Sequence, residues 1–505
     1  MFYTQPHAVE TQTPPSAVEH FVQHARITNN SIRSHVYYRV SLMDVIVDQI
    51  TFTTKTLRDA FSHKTVNKLM RAHLPVRTPL RILLSFVNEM SNSLAVKEPE
   101  TADHNSRDDF DRGNGNFTAA FLYSGIDESP NSSIITSPFS VLFLLAQLAL
   151  YAKGTSYEQL ANLLNIKSRN EIRSIVPDYL DDINSQQNVT LQLAEKVYGN
   201  VQFPFKKSFK RDTRLVFHAE AENLDFSDPI QAANSINSWI ASETNNLVKD
   251  LISPSVLSQN TRLVLTDAIY FKGDWQTPFN AKMTKLKDFY INESITVSVN
   301  MMNQINTFNY GNLDSINAKV LQLFYKSSNV SFVAILPNKG QDVLTIAQKF
   351  KSSCFDFKED VINKLKSRKV NVSLPLIDTE TTTDLEEILK KTSVKYVQKV
   401  ALLLTQQSQP NNQNGVTEIF DPDTSDLTGI LKQAQKLYVS SAVQKAKIIV
   451  NESGSEAAAG NAFIIGLTSV QHEAQPEEFN ANTPFVYYIL FKYTPIFAGF
   501  YSGPQ

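Results

Sequence analysis

The pattern of apolar and polar positions predicts a mixture of helices and strands. Val141–Ala152 is an apolar run too short to span a bilayer. From Leu263 apolar residues alternate as in a strand, which leads to a turn at Gly273 and then to Trp275. A last hydrophobic stretch begins at Phe485 and predicts a C-terminal hairpin.

The first hundred residues differ in composition from the rest. Residues 1–104 hold seven of the nine histidines, with no HExxH or similar spacing, so we predict solvated surface and no metal site. Val36–Thr54 reads partly as a strand and Thr56–Met70 as a helix. The charged, Asn/Gly-rich stretch KEPETADHNSRDDFDRGNGN predicts a boundary near residues 100–112. We expect 1–110 to be a poorly packed or disordered extension, with a small folded appendage, a mobile tail or a gene-prediction artefact as alternatives.

Composition narrows the function classes. A chain of 505 residues with 42% hydrophobic and 19% charged residues is typical of a soluble globular protein. The net charge of −2 predicts no nucleic-acid partner, and no apolar run predicts a membrane span. The single cysteine, Cys354, excludes an intramolecular disulfide and a cysteine-rich zinc site.

A run of tiny residues from Ser455 to Gly460 opens a segment without Lys or Arg between Lys447 and Lys492. One interpretation of this run is a segment that threads between two strands of a sheet, since such a segment needs small side chains where it enters. The alternative is a helix capped by Ser455, since alanine is the best helix former. Gly460 and Asn461 directly after the alanines count against that helix.

The order of sequence blocks from Phe117 onward resembles the serpin family. The resembling blocks are Asn131–Leu164, Ile236–Ile252, Leu263–Phe279, Val330–Gly340, Val370–Leu389, Ile419–Leu431 and Leu437–Gly460. The resemblance implies the α+β serpin fold: a large central β-sheet, two further sheets, about nine helices and an exposed reactive-centre loop at about 452–479. It also implies an inhibitory, insect-like member with an N-terminal extension, a serpin domain at 111–505 and an insertion at about 392–414.

The resemblance also implies residue roles. The hinge of the loop would be Glu452, Gly454, Ser455, Glu456, Ala457, Ala458, Ala459 and Gly460. The shutter and breach, over which the loop enters the sheet, would be Ser137, Ser140, Asp267, Gln444 and Trp275. Asp267 stands where the family usually has Asn, and Gln444 where it usually has His. A carboxylate facing an amide donor can keep the family's hydrogen bond, although a buried charge costs more than a buried amide.

The scissile bond follows from spacing within the resemblance. Counting forward from Glu452 predicts Thr468–Ser469, whereas counting back from Phe479 predicts a bond nearer Val470–Gln471. Leu467 would suit a hydrophobic specificity pocket. Because the loop lacks Lys and Arg, we expect an elastase-like or chymotrypsin-like target rather than a trypsin-like one.

The resemblance implies a serine protease inhibitor that acts as a suicide substrate and traps the protease as an acyl enzyme. The alternative is a non-inhibitory serpin acting as a carrier, chaperone or storage protein. An enzyme is disfavoured, because GxSxG, HExxH and GxxxxGK[ST] are absent from the sequence. We therefore expect no catalytic residues, no cofactor and a monomer.

Two sequence features bear on the cellular location of the protein. The N-terminus lacks a basic start followed by an apolar run, whereas Met70 begins a better signal-peptide candidate. Eight Asn-x-Ser/Thr sequons occur, of which six are our glycosylation candidates: Asn116, Asn131, Asn188, Asn292, Asn329 and Asn371. We predict a secreted, extracellular protein, with a cytoplasmic one as the alternative.

Overall fold

The computed structural model describes residues 104–186, 188–326, 329–351, 356–391, 415–455 and 475–504. Within these ranges the protein is α+β, as predicted. The α-helices are α1 His104–Glu128, α2 Pro138–Ala149, α3 Gly154–Leu164, α4 Arg169–Asn184, α5 Lys207–Phe217, α6 Pro229–Glu243, α7 Val343–Phe350, α8 Phe357–Asp360 and α9 Leu385–Lys391. Short 3₁₀ helices lie at Pro254–Val256, Ala281–Met283, Ile362–Lys364, Glu418–Phe420 and Thr428–Ile430.

Fifteen strands accompany these helices in the described residues. They are β1 Ile134–Thr136, β2 Val189–Asn200, β3 Glu220–Leu224, β4 Leu263–Asp274, β5 Lys285–Tyr290, β6 Thr296–Leu313, β7 Ala318–Phe324, β8 Val330–Pro337, β9 Lys366–Pro375, β10 Ile377–Asp384, β11 Val439–Val450, β12 Gly454–Ser455, β13 Glu477–Asn480, β14 Phe485–Phe491 and β15 Thr494–Tyr501. The C-terminal hairpin predicted from Phe485 is β14 and β15, which pair in antiparallel fashion.

The central sheet has six strands in the order β10-β11-β12-β4-β2-β3. β11 and β4 are parallel neighbours from Val439 opposite Leu263 to Lys447 opposite Tyr270. Beyond that point the two-residue strand β12 lies between them and pairs with both in antiparallel fashion. The sheet is therefore closed along most of the β4–β11 boundary and already holds an extra strand at one end.

The two further sheets predicted beside the central one are a single nine-stranded sheet in the described residues. The reason is the length of β6, which has 18 residues. One part of β6, Met301–Tyr310, pairs with β9, and the overlapping part Asn309–Leu313 pairs with β7. Because one strand serves both partners, the ladder of hydrogen bonds continues from one predicted sheet into the other.

Helix α2 lies beneath the central sheet and positions the site. The Ser137 hydroxyl caps its N-terminus by accepting from the Ser140 amide, and Pro138 occupies the first turn, where a missing N–H costs nothing. All twelve residues of α2 are buried, because the helix contacts β2 and β4 on one side and β15 on the other. No helix in the described ranges combines the length and the apolar character needed to cross a bilayer.

Candidate functional site

The predicted breach lies at the end of the central sheet where the chain leaves β11. After Val450 the chain turns, and the Asn451 side chain fixes the turn by accepting from the amides of Ser453 and Gly454 at 3.0 and 3.3 Å. Gly454 then packs so closely on β4 that a Cβ there would lie 2.0 Å from the carbonyl oxygen of Gly273. A side chain at Gly454 would therefore prevent β12 from pairing with β4.

Trp275 holds this turn from below. Its backbone amide donates to the Ser453 carbonyl at 2.8 Å, and its indole Nε1 donates to the Asn451 carbonyl at 2.9 Å. The ring is 3% exposed and stacks on Tyr325 with a centroid distance of 4.6 Å. Trp275 therefore lies under the point where the predicted loop begins, and two of its hydrogen bonds go to the segment that leads into that loop.

Ser455 is the last hinge residue that the structure describes, and it is fully buried. It pairs with Val450 on one side and Gly273 on the other. The Ser455 and Tyr325 hydroxyls hydrogen-bond at 2.6 Å, and burial raises the pKa of Tyr325, so the phenol stays neutral and able to donate. The first residue of the predicted insertion thus already occupies a strand position.

Glu452 anchors the same turn to the neighbouring surface. Its carboxylate accepts from the Thr284 hydroxyl at 2.6 Å, and its backbone carbonyl accepts from the Phe279 amide at 2.8 Å. The turn between β11 and β12 is therefore fixed to the neighbouring surface.

The predicted shutter residues meet under the closed part of the β4–β11 boundary. Gln444 on β11 connects them: its Nε2 donates to Asp267 Oδ2 at 2.7 Å and to the Ser137 carbonyl at 2.8 Å. Its Oε1 accepts from the Thr136 hydroxyl at 2.7 Å and the Ser137 amide at 3.0 Å. Gln444 and Asp267 lie opposite each other in the parallel register, so this amide links the two strands directly.

Asp267 is fully buried and shares its Oδ2 between two donors. The second donor is Ser140 Oγ at 2.5 Å. Burial raises the pKa of Asp267 to about 6, with the bonds from Ser140 and Gln444 acting in the opposite direction. The carboxylate–amide bond expected from the Asp267 and Gln444 pair is present, and it carries the desolvation cost expected of a buried acid.

Sequence reasoning missed three residues of this site: Thr136, Thr284 and Tyr325. Each makes a side-chain bond to a predicted site residue from a distant part of the chain. Hydroxyls at strand ends are common, so no signal in the sequence marks these three.

Comparisons with known proteins identify the family. The family model described as "Serpin (serine protease inhibitor)" matches residues 112–414 and 408–504. The chain belongs to the serpin family. "Antitrypsin" of Bombyx mori is 35% identical to this serpin, and the match covers 74% of this serpin and 89% of the relative. "Antichymotrypsin-2" of the same organism is also 35% identical, and the match covers 75% of this serpin and 93% of the relative. The solved structure of Serpin48 of the insect Tenebrio molitor, described in its title as highly specific, is 28% identical and superposes with a TM-score of 0.68, covering 79% of this chain and 99% of that one.

Other predicted features of the serpin lie outside the described residues. They are the hinge residues 456–460, the scissile-bond candidates 467–471, the insertion at 392–414 and residues 1–103 of the extension. Their assignments, and the domain boundary near 100–112, stay predictions.

Proposed function

We propose that this serpin inhibits a serine protease by inserting its cleaved reactive-centre loop into the central sheet. The observation that carries the proposal is β12: Ser455 already sits between β4 and β11 at the open end of their boundary. Below it the two strands are parallel neighbours, linked side chain to side chain by Gln444 and Asp267. A strand that continues from Ser455 would separate them progressively.

The free energy gained on loop insertion is comparable to the stability of a protease. About a dozen new backbone hydrogen bonds at roughly 0.5–1.5 kcal/mol each supply on the order of 10 kcal/mol. Burial of an apolar side chain such as Phe463 adds roughly 1.5–3 kcal/mol. A protease is stable by only about 5–15 kcal/mol, so the transition can distort an acyl-linked protease.

The chemistry of this mechanism belongs to the protease. The protease serine attacks the loop and forms the acyl enzyme, and distortion of its oxyanion hole prevents deacylation. The serpin then needs no nucleophile, base or cofactor of its own. We accordingly propose that it is not an enzyme.

A protease panel tests this proposal. The serpin is incubated with elastase, chymotrypsin and trypsin, and the products are separated under denaturing conditions and sequenced. We expect a denaturant-resistant covalent complex, together with a large rise in the melting temperature of the cleaved serpin. A cleaved form that melts like the intact one, with no complex, would instead favour the carrier, chaperone or storage alternative.

The target class is a second part of the proposal. Because the segment between Lys447 and Lys492 contains no Lys or Arg, we propose an elastase-like or chymotrypsin-like target cut between residues 467 and 471. In the same panel we expect complexes with elastase or chymotrypsin at least about tenfold faster than with trypsin, since one tenfold step corresponds to about 1.4 kcal/mol of lost pocket contact. Stable complexes with trypsin alone would contradict this assignment.

We also propose that the protein is exported and glycosylated. Four of the six candidate asparagines are exposed: Asn131, Asn188, Asn292 and Asn329. Asn371 differs, because its Nδ2 donates to the Glu478 carboxylate at 3.0 Å within the β9–β13 pair. A glycan on that nitrogen would replace this bond.

Site occupancy is therefore expected to follow exposure. In protein secreted from insect cells, peptide mass spectrometry should find glycans on some of the exposed asparagines and none on Asn371. An Asn131→Gln variant provides the mass control for one glycan. A folded secreted protein with a glycan on Asn371, or one with no glycan anywhere, would contradict the prediction.

A further inference from the structure

A second buried acid lies beside the shutter. Glu195 on β2 is directly opposite Asp267 on β4 in the antiparallel register, and the two residues are 4% and 0% exposed. Residues that face each other in this way point to the same side of a sheet, with Cβ atoms about 4.5–5.5 Å apart. The two carboxyl groups are therefore neighbours in the layer between the central sheet and α2.

The hydrogen bonds of this layer leave acceptor atoms unpaired. Gln147 Nε2 on α2 donates to Glu195 Oε2 at 2.8 Å. Glu195 Oε1, Asp267 Oδ1 and Gln147 Oε1 are all buried without a hydrogen-bond partner among the described residues. An ionised carboxylate only accepts, whereas a protonated one donates. One proton on Glu195 Oε1 would supply the donor that this group of acceptors lacks.

No cation in the described residues faces the pair. The lysines that follow the site residues along their strands, Lys196 and Lys445, point to the opposite side of the sheet because side chains alternate. There Lys196 pairs with Glu220 and Glu222, and Lys445 with Glu380.

The helices below the sheet add no charge to the site. Helix α2 presents the neutral Ser140 and Gln147. The charged and titratable side chains of α4 nearest the core bind elsewhere, Arg173 to Asp212 and Tyr179 to Asp111. The remaining facing groups, Gln444 of β11 and Thr136 of β1, do not titrate.

The two acids differ in how readily they lose a proton. Burial, together with the charge of Asp267, raises the pKa of Glu195 well above its ordinary value. The pKa of Asp267 is raised to about 6, chiefly by burial, and two donors act against that rise. The hydrogen bonds assign one proton of the pair to Glu195, because Asp267 already receives two donors whereas Glu195 receives one and leaves Oε1 unpaired.

We propose that Glu195 is a positioning residue of the shutter, which shares its proton with Asp267 and so makes the Asp267–Gln444 bond a pH-sensitive latch between β4 and β11. The consequence for inhibition rests on the proposed function, because insertion requires these two strands to part. When β4 and β11 separate, β2 stays paired with β4. Glu195 and Asp267 therefore move together, and the bond between Asp267 and Gln444 breaks.

The sign of the pH effect follows from the charge on Asp267. Above about pH 6 the charged carboxylate accepts from Gln444, and charge-assisted hydrogen bonds are roughly twice as strong as neutral ones. Below that pH a second proton neutralises Asp267 and weakens the latch. Opening of the sheet is therefore faster in acid, by about fivefold to tenfold between pH 7.5 and pH 5.

Annealing of a synthetic peptide with the sequence SEAAAGNAFIIGL, residues 455–467, tests the latch without a protease. The rate of incorporation into the intact serpin is measured from pH 5 to pH 8 by the appearance of the heat-resistant form. We expect the acid acceleration in the native protein and a flat profile in Asp267→Asn, whose side chain does not titrate.

Glu195→Gln keeps a donor and should retain the inflection, whereas Glu195→Met removes the donor and should move the inflection to higher pH. His218→Gln, at an exposed histidine, is the control and should change nothing.

Two results with the variants would overturn the latch. An unchanged pH profile in Asp267→Asn would assign the titration to another group, and a Glu195→Met profile identical to that of the native protein would deny Glu195 its role. Inhibition of a protease without any pH dependence of annealing would reject the latch and leave the proposed function intact. Absence of annealing at every pH would contradict both.

Discussion

Replacing Ser455 by arginine is expected to convert this serpin from an inhibitor into a substrate. Ser455 is fully buried between β11 and β4, with its hydroxyl on Tyr325. A guanidinium in that space has no partner, and an unpaired buried charge costs several kcal/mol. The charge would expel β12 from the sheet in the intact protein, so after cleavage the loop would lack its starting strand and deacylation would release the protease.

The expected readout is a ratio. Cleavage of the loop should keep its normal rate, because the protease meets the same bait, while the yield of covalent complex falls at least about 100-fold, which corresponds to about 2.7 kcal/mol. Gln475→Arg is the matched control, since it adds the same charge at an exposed residue on the far side of the loop. A Ser455→Arg protein that still forms one complex for each loop cleaved would contradict insertion through β12.

The family resemblance predicted the site better than residue chemistry did. Ser137, Ser140, Asp267 and Gln444 lie far apart in the sequence, and the structure brings them into one hydrogen-bonded group. The ordered blocks fix the strand registers, and the registers bring these residues together. The function of the group in insertion remains a prediction.

What the sequence did not predict depends on packing and register. Glu195 belongs to the site because the strand register places it opposite Asp267. The apolar and polar pattern of β2 does not indicate that Glu195 is buried. The sequence of β4 predicts a strand of alternating apolar positions, yet the strand is buried on both faces for most of its length. The reason is that α6 covers its outer face, where Ile236 packs with Val264. The continuity of β6 through two predicted sheets likewise depends on strand length and pairing rather than on composition.

Asp267→Asn is expected to stabilise the folded protein at neutral pH by about 2–3 kcal/mol. The folded pKa of Asp267, about 6, lies above the ordinary value near 3.8. A raised acid pKa means that the folded state binds more protons than the unfolded state between these values, so native stability is greatest below about pH 4 and falls as the pH rises to about 6. A folded pKa that lies about two pH units above the unfolded one corresponds to about 2.7 kcal/mol of lost stability. An amide at this position accepts from Ser140 and Gln444 without the cost of a buried charge.

Urea unfolding of the loop-intact protein at pH 4 and pH 7.5 measures this effect. The advantage of Asp267→Asn should be present at pH 7.5 and close to zero at pH 4, whereas Asp288→Asn, at an exposed aspartate of β5, should change little at either pH. Equal stability of Asp267→Asn and the native protein at pH 7.5 would mean that the buried carboxylate is not charged there.

The same substitution is expected to speed peptide annealing at neutral pH, because the charged latch is lost while the global fold gains stability. Opposite effects on unfolding and on sheet opening would separate a latch between β4 and β11 from a general change in stability.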